Sequence, residues 1–214
     1  MQKMLNKEIQ DQLRQVFNEM KEDVTMVLFT EEGECYSCPE TMGLLEEIEE
    51  LSDKIHLKKL DFNKDVEEAK KYNIEMTPSF VLLNSKGEYE GVKFNGIPAG
   101  HEINSFIPAL IEMSGVRQDI PADFEARVAK INKPVNIKVF VTLSCPHCPG
   151  AVQKAHVLAM LNKNIEGEMI EAQTFHDLSN KFNVSGVPKI VINDKIELVG
   201  NQPIEEFLAR IESL

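Results

Sequence analysis

Four cysteines stand in two pairs of identical spacing, Cys35-Tyr-Ser-Cys38 and Cys145-Pro-His-Cys148. Two residues between cysteines, laid over the first turn of a helix, bring the sulfurs within bonding reach. Such a pair supports thiol–disulfide exchange, in which one thiolate attacks a disulfide and the second thiol resolves the mixed disulfide. A helix N-terminus offers unpaired N–H groups and partial positive charge, which hold a thiol below its ordinary pKa of about 8.5. The first cysteine of each pair, Cys35 and Cys145, is therefore the expected exposed nucleophile, with Cys38 and Cys148 resolving. A four-cysteine zinc site is the competing reading, but zinc ribbons place their pairs roughly 15–20 residues apart. Here 106 residues intervene.

The elements that must position these thiols can be read on either side of them. Val24-Thr-Met-Val-Leu-Phe-Thr30 precedes the first pair and Ile137-Lys-Val-Phe-Val-Thr-Leu143 the second. Both runs are β-branched and aromatic, as buried strands are. Helical patterns follow, with Leu44, Leu45, Ile48 and Leu51 on one face after the first pair and Val152, Ala155, Leu158 and Ala159 after the second. Pro39 and Pro149 directly follow the second cysteines, where a helix tolerates proline. Each pair thus sits where a strand ends and a helix begins.

The chain also repeats itself. Cys35 to Pro78 and Cys145 to Pro188 each span 43 residues. The words leading to the prolines match, Lys71-Tyr-Asn-Ile-Glu-Met-Thr-Pro78 against Lys181-Phe-Asn-Val-Ser-Gly-Val-Pro188. Short apolar runs follow, Phe80–Leu83 and Ile190–Ile192, then a turn, a further strand and a last helix. Repetition at an offset of 110 residues predicts two copies of one domain, 1–115 and 116–214. Each copy reads as strands interleaved with helices, with leading helices near 7–20 and 123–131 and second strands at 55–62 and 165–172. That order predicts an α/β class with a central mixed sheet flanked by helices, its last two strands antiparallel.

Charge separates the copies. The chain of 214 residues carries 23 Lys and Arg against 35 Asp and Glu, a net charge of −12. Residues 1–115 hold 12 basic and 23 acidic groups, and residues 116–214 hold 11 and 12. A field of this sign disfavours nucleic acid and anionic membrane as partners. Glu31, Glu32, Glu34 and Glu40 flank the first pair, and negative neighbours oppose a thiolate. No acid lies between Val135 and Met160 around the second pair, and Pro146 and His147 stand inside it. An imidazole there favours the thiolate. Glu34, Pro146 and His147 are accordingly the expected tuning residues, and Cys145/Cys148 the more oxidising and more reactive site. No Gly-rich nucleotide loop is present, so no cofactor is expected beyond the cysteine pairs. The N-terminal segment is amphipathic and does not read as a signal peptide, which makes cytoplasm the expected location.

A strand, a C-x-x-C at a helix start and a Thr-Pro or Val-Pro some 40 residues on resemble thioredoxin and glutaredoxin. Two such units, each with C-x-x-C-P, are similar to the two-domain protein disulfide oxidoreductases of thermophilic archaea and bacteria. The resemblance implies a thiol–disulfide oxidoreductase acting on protein disulfides, with Pro78 and Pro188 in the cis form facing the cysteines. It further implies that Thr77 and Val187, beside those prolines, offer backbone groups to an extended substrate peptide. A second role fits the same chemistry, that of a dithiol carrier between a flavin-dependent disulfide reductase and a peroxidase or other reductase. Many thioredoxins place an aspartate on the central strand below the active site. The nearest positions here hold Phe29 and Val139, so no buried acid is expected to relay protons.

Overall fold

The computed structural model describes residues 3–33 and 35–214. In chain order the elements are α1 (Lys7–Phe17), β1 (Val24–Thr30), α2 (Cys38–Glu49), β2 (Ile55–Asp61), α3 (Val66–Lys71), β3 (Ser79–Leu83), β4 (Tyr89–Asn95), α4 (Ile103–Met113), α5 (Ala122–Val128), β5 (Val135–Val141), α6 (Cys148–Leu161), β6 (Ile165–Glu171), α7 (His176–Lys181), β7 (Lys189–Ile192), β8 (Ile196–Val199) and α8 (Ile204–Glu212). A 3-10 turn, Gly100–Glu102, precedes α4. No helix among the described residues is long and apolar enough to cross a membrane.

Two compact units emerge. The first comprises residues 1–89, 95–97 and 110–117, and the second residues 90–94, 98–109 and 118–214. The second unit therefore includes two segments from the first sequence repeat.

In the first unit the strand order is β2-β1-β3. β1 runs parallel to β2 and antiparallel to β3, with Val27 opposite Lys58 on one side and Val81 on the other. One face of this mixed sheet packs Val27, Phe29 and Val81 against Ala69, Tyr72 and Ile74. In the second unit the order is β4-β6-β5-β7-β8. β5 runs parallel to β6 and antiparallel to β7, and β7 and β8 are antiparallel. Its matching cluster is Phe140, Ile170, Phe182 and Val191. The stripes read on the two cysteine helices are buried, with Leu44, Leu45 and Ile48 at 1% exposure or less and Val152, Ala155 and Leu158 at 0%.

The repeated words before each proline fold for a shared reason. α3 and α7 both end with an asparagine in the left-handed region, Asn73 at φ 51° and Asn183 at φ 50°. The next amide then bonds back across the helix end, Ile74 to the Ala69 carbonyl and Val184 to the Ser179 carbonyl, both at 2.9 Å. This is a Schellman C-cap, and asparagine tolerates its left-handed residue better than a branched side chain would. It satisfies the last helical carbonyls and turns the chain toward the X-Pro step.

The cysteine helix of the second unit lies very close to its sheet. A Cβ on Gly167 in β6 would stand 2.6 Å from the Ala155 carbonyl oxygen of α6. Beside this contact His156 is 1% exposed, with its ring 4.7 Å from that of Phe94 and Nε2 3.2 Å from the Lys93 carbonyl. Burial pulls its pKa down to about 4, so the ring is neutral at physiological pH. A Gly167→Ala substitution must push α6 away from β6 and should lower the unfolding free energy by about 1–3 kcal/mol. Gly186→Ala, where nothing lies within 4 Å of the added methyl, should change it by less than about 0.5 kcal/mol. Denaturant titration of both variants checks the contrast.

Candidate active site: two dithiols at helix starts

In the first unit, β1 delivers the chain to Cys35 and α2 begins at Cys38. The two cysteines are disulfide-bonded, with Cα atoms 5.4 Å apart, and the Cys38 amide donates to the Cys35 carbonyl at 3.3 Å. In the second unit, β5 leads to Cys145, whose amide donates to the Thr142 carbonyl at 3.0 Å, and α6 begins at Cys148. This pair is also bonded, with Cα atoms 5.5 Å apart. Ser37 and His147 occupy the N-cap positions, and neither side chain caps its helix. The first-turn amides thus take no side-chain cap from Ser37 or His147, and a helix start of this kind favours a thiolate placed at it.

Sheet register brings the prolines to the same edge. Phe29 in β1 pairs with Ser79 at the start of β3, so Pro78 and Thr77 lie alongside Thr30 and Glu31 as the chain runs on to Cys35. Phe140 pairs with Lys189, which sets Pro188 and Val187 alongside Val141 and Thr142. Both Thr77-Pro78 and Val187-Pro188 are cis. The prolines are buried, while Thr77 and Val187 keep partial exposure at the edge. Each of the two sequence words therefore arrives at the end of the strand that leads to its own cysteine pair.

Exposure differs from the expectation in one respect. Cys35 is half-buried and Cys38 only 5% exposed, so the first cysteine is the more accessible. In the second pair the order is kept, but Cys145 is itself only 8% exposed and Cys148 is at 0%. Closed into the disulfide, Cys145 is held back against the helix start rather than presented as an open thiol. Between the cysteines Tyr36 is 92% exposed, and Pro146 and His147 are exposed as well. Glu34, expected to tune the first site, lies outside the described residues.

The central strands supply no buried acid, as expected, but the second unit holds one elsewhere. Phe29 and Val139 do fill the central strands as apolar residues, both at 0% exposure. A carboxyl group comes instead from the 3-10 turn. Glu102 is at 0% exposure, and its second oxygen accepts from Ser105 Oγ at 2.5 Å while Oε1 has no hydrogen-bond partner. The turn leans on the strand end that carries the second pair. The His101 amide donates to the Leu143 carbonyl at 2.9 Å, two residues before Cys145, and a Cβ on Gly100 would collide with that oxygen. Burial raises the Glu102 pKa to about 7, only partly offset by the Ser105 hydroxyl. Position 102 lies in the first sequence repeat, while its carboxyl belongs to the second compact unit. No local pattern around Cys145 points to it; the one signal in the sequence is an acid standing alone between Gly100 and an apolar helix.

Comparison with known proteins agrees with this geometry. A family described as "Thioredoxin" matches residues 6–109, and one described as "Thioredoxin domain" matches residues 135–213. The F subunit of alkyl hydroperoxide reductase from Pseudomonas aeruginosa is 31% identical over 210 residues, covering 98% of this chain and 38% of that protein. The chain thus spans well under half the length of that curated relative. Among solved structures, the NTD_N/C domain of alkylhydroperoxide reductase from Enterococcus faecalis superposes with a TM-score of 0.91 at 28% identity, covering 97% of this chain and 99% of that one. A protein disulfide oxidoreductase from Aeropyrum pernix superposes with a TM-score of 0.90 at 27% identity, covering 97% and 92%. With a cysteine pair at a helix start and a cis-proline in each of the two matched regions, the chain carries two thioredoxin domains in tandem.

Proposed function

We propose that this chain is a protein disulfide oxidoreductase that works through two dithiol/disulfide sites, Cys145/Cys148 being the main one. The observation that supports it most is the duplicated geometry of a bonded C-x-x-C at a helix start with a cis-proline on the adjoining strand. In the reducing direction, the Cys145 thiolate attacks a substrate disulfide. A Cys145–substrate bond forms, and one substrate sulfur leaves and takes up a proton. Cys148 then gives up its proton and attacks Cys145, closing the enzyme disulfide and releasing the second substrate thiol. Two electrons pass to the substrate, and an external dithiol restores the enzyme. Val187 and Thr77 offer backbone groups to the substrate chain, and His147 and Pro146 tune the second pair.

Cys148 is fully buried, so bulk water is poorly placed to take its proton. Glu102 is suited to accept it, since its carboxyl is buried in the same unit, has one oxygen unpaired, and has a pKa near 7. The first pair, set among Glu31, Glu32 and Glu40, is the more reducing and auxiliary site. Such a dithiol enzyme suits a reducing compartment such as cytoplasm.

A second reading rests on the relatives. Proteins named as the F subunit of alkyl hydroperoxide reductase match nearly the whole chain but extend well beyond it. The same dithiols would then carry electrons from a flavin-dependent disulfide reductase to a peroxidase or another reductase.

Insulin disulfide reduction with dithiothreitol separates the roles of the pairs. Cys145→Ser should abolish turnover, and Cys35→Ser should lower it by less than about tenfold. Equal losses would favour a relay through both pairs. Turnover driven by reduced nicotinamide plus a flavoprotein disulfide reductase, without dithiothreitol, would favour the carrier reading.

Glu102→Gln should slow resolution of a Cys145 mixed disulfide by at least about tenfold and remove a rate dependence centred near pH 7. Stability supplies an independent readout. A carboxyl raised from 4.5 to about 7 binds its proton more tightly in the folded state, so stability falls as pH rises between those values. Unfolding free energies of the native chain should therefore drop by about 3 kcal/mol relative to Glu102→Gln between pH 4 and pH 8.

A further inference from the structure

We propose that Glu31 is a specificity-determining residue of the first dithiol and makes Cys35/Cys38 selective for disulfides flanked by cationic groups. This rests on the oxidoreductase reading above and deepens it by naming the substrate class of one site.

The placement of Glu31 carries the inference. It follows β1 directly and stands four residues before Cys35, at the edge where the β1–β3 register sets it alongside Thr77. Its Oε1 accepts from Thr77 Oγ1 at 2.5 Å, and its Oε2 accepts from Asn63 Nδ2 at 3.3 Å. Both donors are neutral, so the carboxylate is fixed in place without losing its charge. No cation pairs with it among the described residues. Lys64, the nearest basic side chain in sequence to Asn63, is engaged with Asp61 at 2.9 Å. Glu31 keeps partial exposure, and Thr77 is the residue beside cis-Pro78. A disulfide-bearing segment laid along that edge must therefore pass a fixed negative charge. Glu40, exposed in the first turn of α2, adds to the negative charge of this unit, while Glu32 is partly offset by Lys64.

The second unit supplies the internal contrast. The same register sets Thr142 where Glu31 stands and Val187 where Thr77 stands. Neither carries charge, and no acid occurs from Val135 to Met160. Two sites of one chemistry thus present different rims, one anionic and one neutral. A fixed charge near a reacting centre discriminates among charged partners through encounter and binding, and salt screens the effect.

The exchange step balances as above, with Cys35 attacking the substrate disulfide, one substrate sulfur leaving with a proton, and Cys38 closing the ring. The test uses full-length chain in two forms, one with Cys145→Ser and Cys148→Ser and one with Cys35→Ser and Cys38→Ser. Each is reduced with dithiothreitol, freed of it, and mixed with the dication cystamine, the dianion of 3,3′-dithiodipropionic acid or neutral bis(2-hydroxyethyl) disulfide. Rates are taken relative to the neutral disulfide and corrected by the same ratios for a small free thiol. The form retaining Cys35/Cys38 should prefer cystamine to the dianion by roughly tenfold at low salt, and the preference should collapse in 0.5 M salt. The form retaining Cys145/Cys148 should show a ratio near one. Glu31→Gln, which keeps an acceptor for Thr77, should lower the preference of the first site by about fivefold.

A purely structural role would slow all three disulfides together and leave the ratio untouched, which would overturn the inference. An unchanged ratio in high salt would overturn it as well, and that measurement needs no variant at Glu31. If Cys35/Cys38 fails to react even with the neutral disulfide, the dithiol reading of that site falls and takes the specificity with it. Reaction without charge preference leaves the dithiol reading standing and removes only the role of Glu31.

Discussion

Everything at these two sites depends on one constraint of sheet register. A strand must lead through the first cysteine into a helix that begins at the second, while its antiparallel neighbour begins just after a proline, at the same edge. The pairings Phe29 with Ser79 and Phe140 with Lys189 meet that requirement in both units. All five residues of β3 are buried, so a slip of one residue would exchange Phe80 and Val81 between two packed faces and spoil the fit of both. Packing on both faces therefore holds the register, and the register sets each cis-proline at the strand end that leads to the cysteines. The left-handed asparagines at the ends of α3 and α7 complete the device, since they redirect each chain from helix to X-Pro step within a few residues.

Burial then does different work at two ionisable groups of the second unit. Glu102 is pushed up to about 7 and His156 down to about 4, both chiefly by desolvation. The two shifts act on stability with opposite sign. Glu102 costs stability as pH rises from 4.5 toward 7, whereas His156 costs stability as pH falls from 6.5 toward 4. Between 4.5 and 6.5 the slopes oppose each other. A polar group buried without a full set of partners is expensive in a packed core. His156 reduces that cost by staying neutral against Phe94 and the Lys93 carbonyl. Glu102 keeps an oxygen unpaired, which is intelligible if that oxygen serves a thiol proton.

Much of this was legible from residues alone, for physical reasons. A C-x-x-C-P after a β-branched run names a strand-to-helix junction, because proline is favoured in the first helical turn. The matched 43-residue spacing revealed the duplication, and the buried stripes on α2 and α6 followed from helical periodicity. Two things were not legible. Segments 90–94 and 98–109 group with the second compact unit, although the repeat assigns them to the first copy. Sequence self-similarity reports descent of a pattern, while compactness reports which side chains share a core, and the two need not coincide. Glu102 was missed for that reason: it is distant in sequence from Cys145 and lies in the other repeat. Its carboxyl comes from the 3-10 turn rather than from the central strands, where Phe29 and Val139 stand.

Duplication of a catalytic unit relaxes the demands on each copy, and the rims show where the copies have diverged. The parts that set the backbone agree closely, from the asparagine caps to the cis-prolines and the helix starts at Cys38 and Cys148. The differences lie in side chains between the cysteines and at the strand ends that lead to them. Tyr36 and Ser37 stand opposite Pro146 and His147, Thr77 opposite Val187, and Glu31 opposite Thr142. None of these exchanges disturbs the register or the core, so each alters reactivity or selection at little cost in stability. Thiolate stabilisation by a helix end is common to both copies, so differences between them must come from the local charges added to it. On the proposed reading an anionic rim opposes the thiolate of Cys35 and attracts cations, while a neutral rim leaves Cys145 to the helix. On that reading the same scaffold yields one dithiol that is the stronger reductant, because its thiolate is opposed, and one whose disulfide is the stronger oxidant, because its thiolate is favoured.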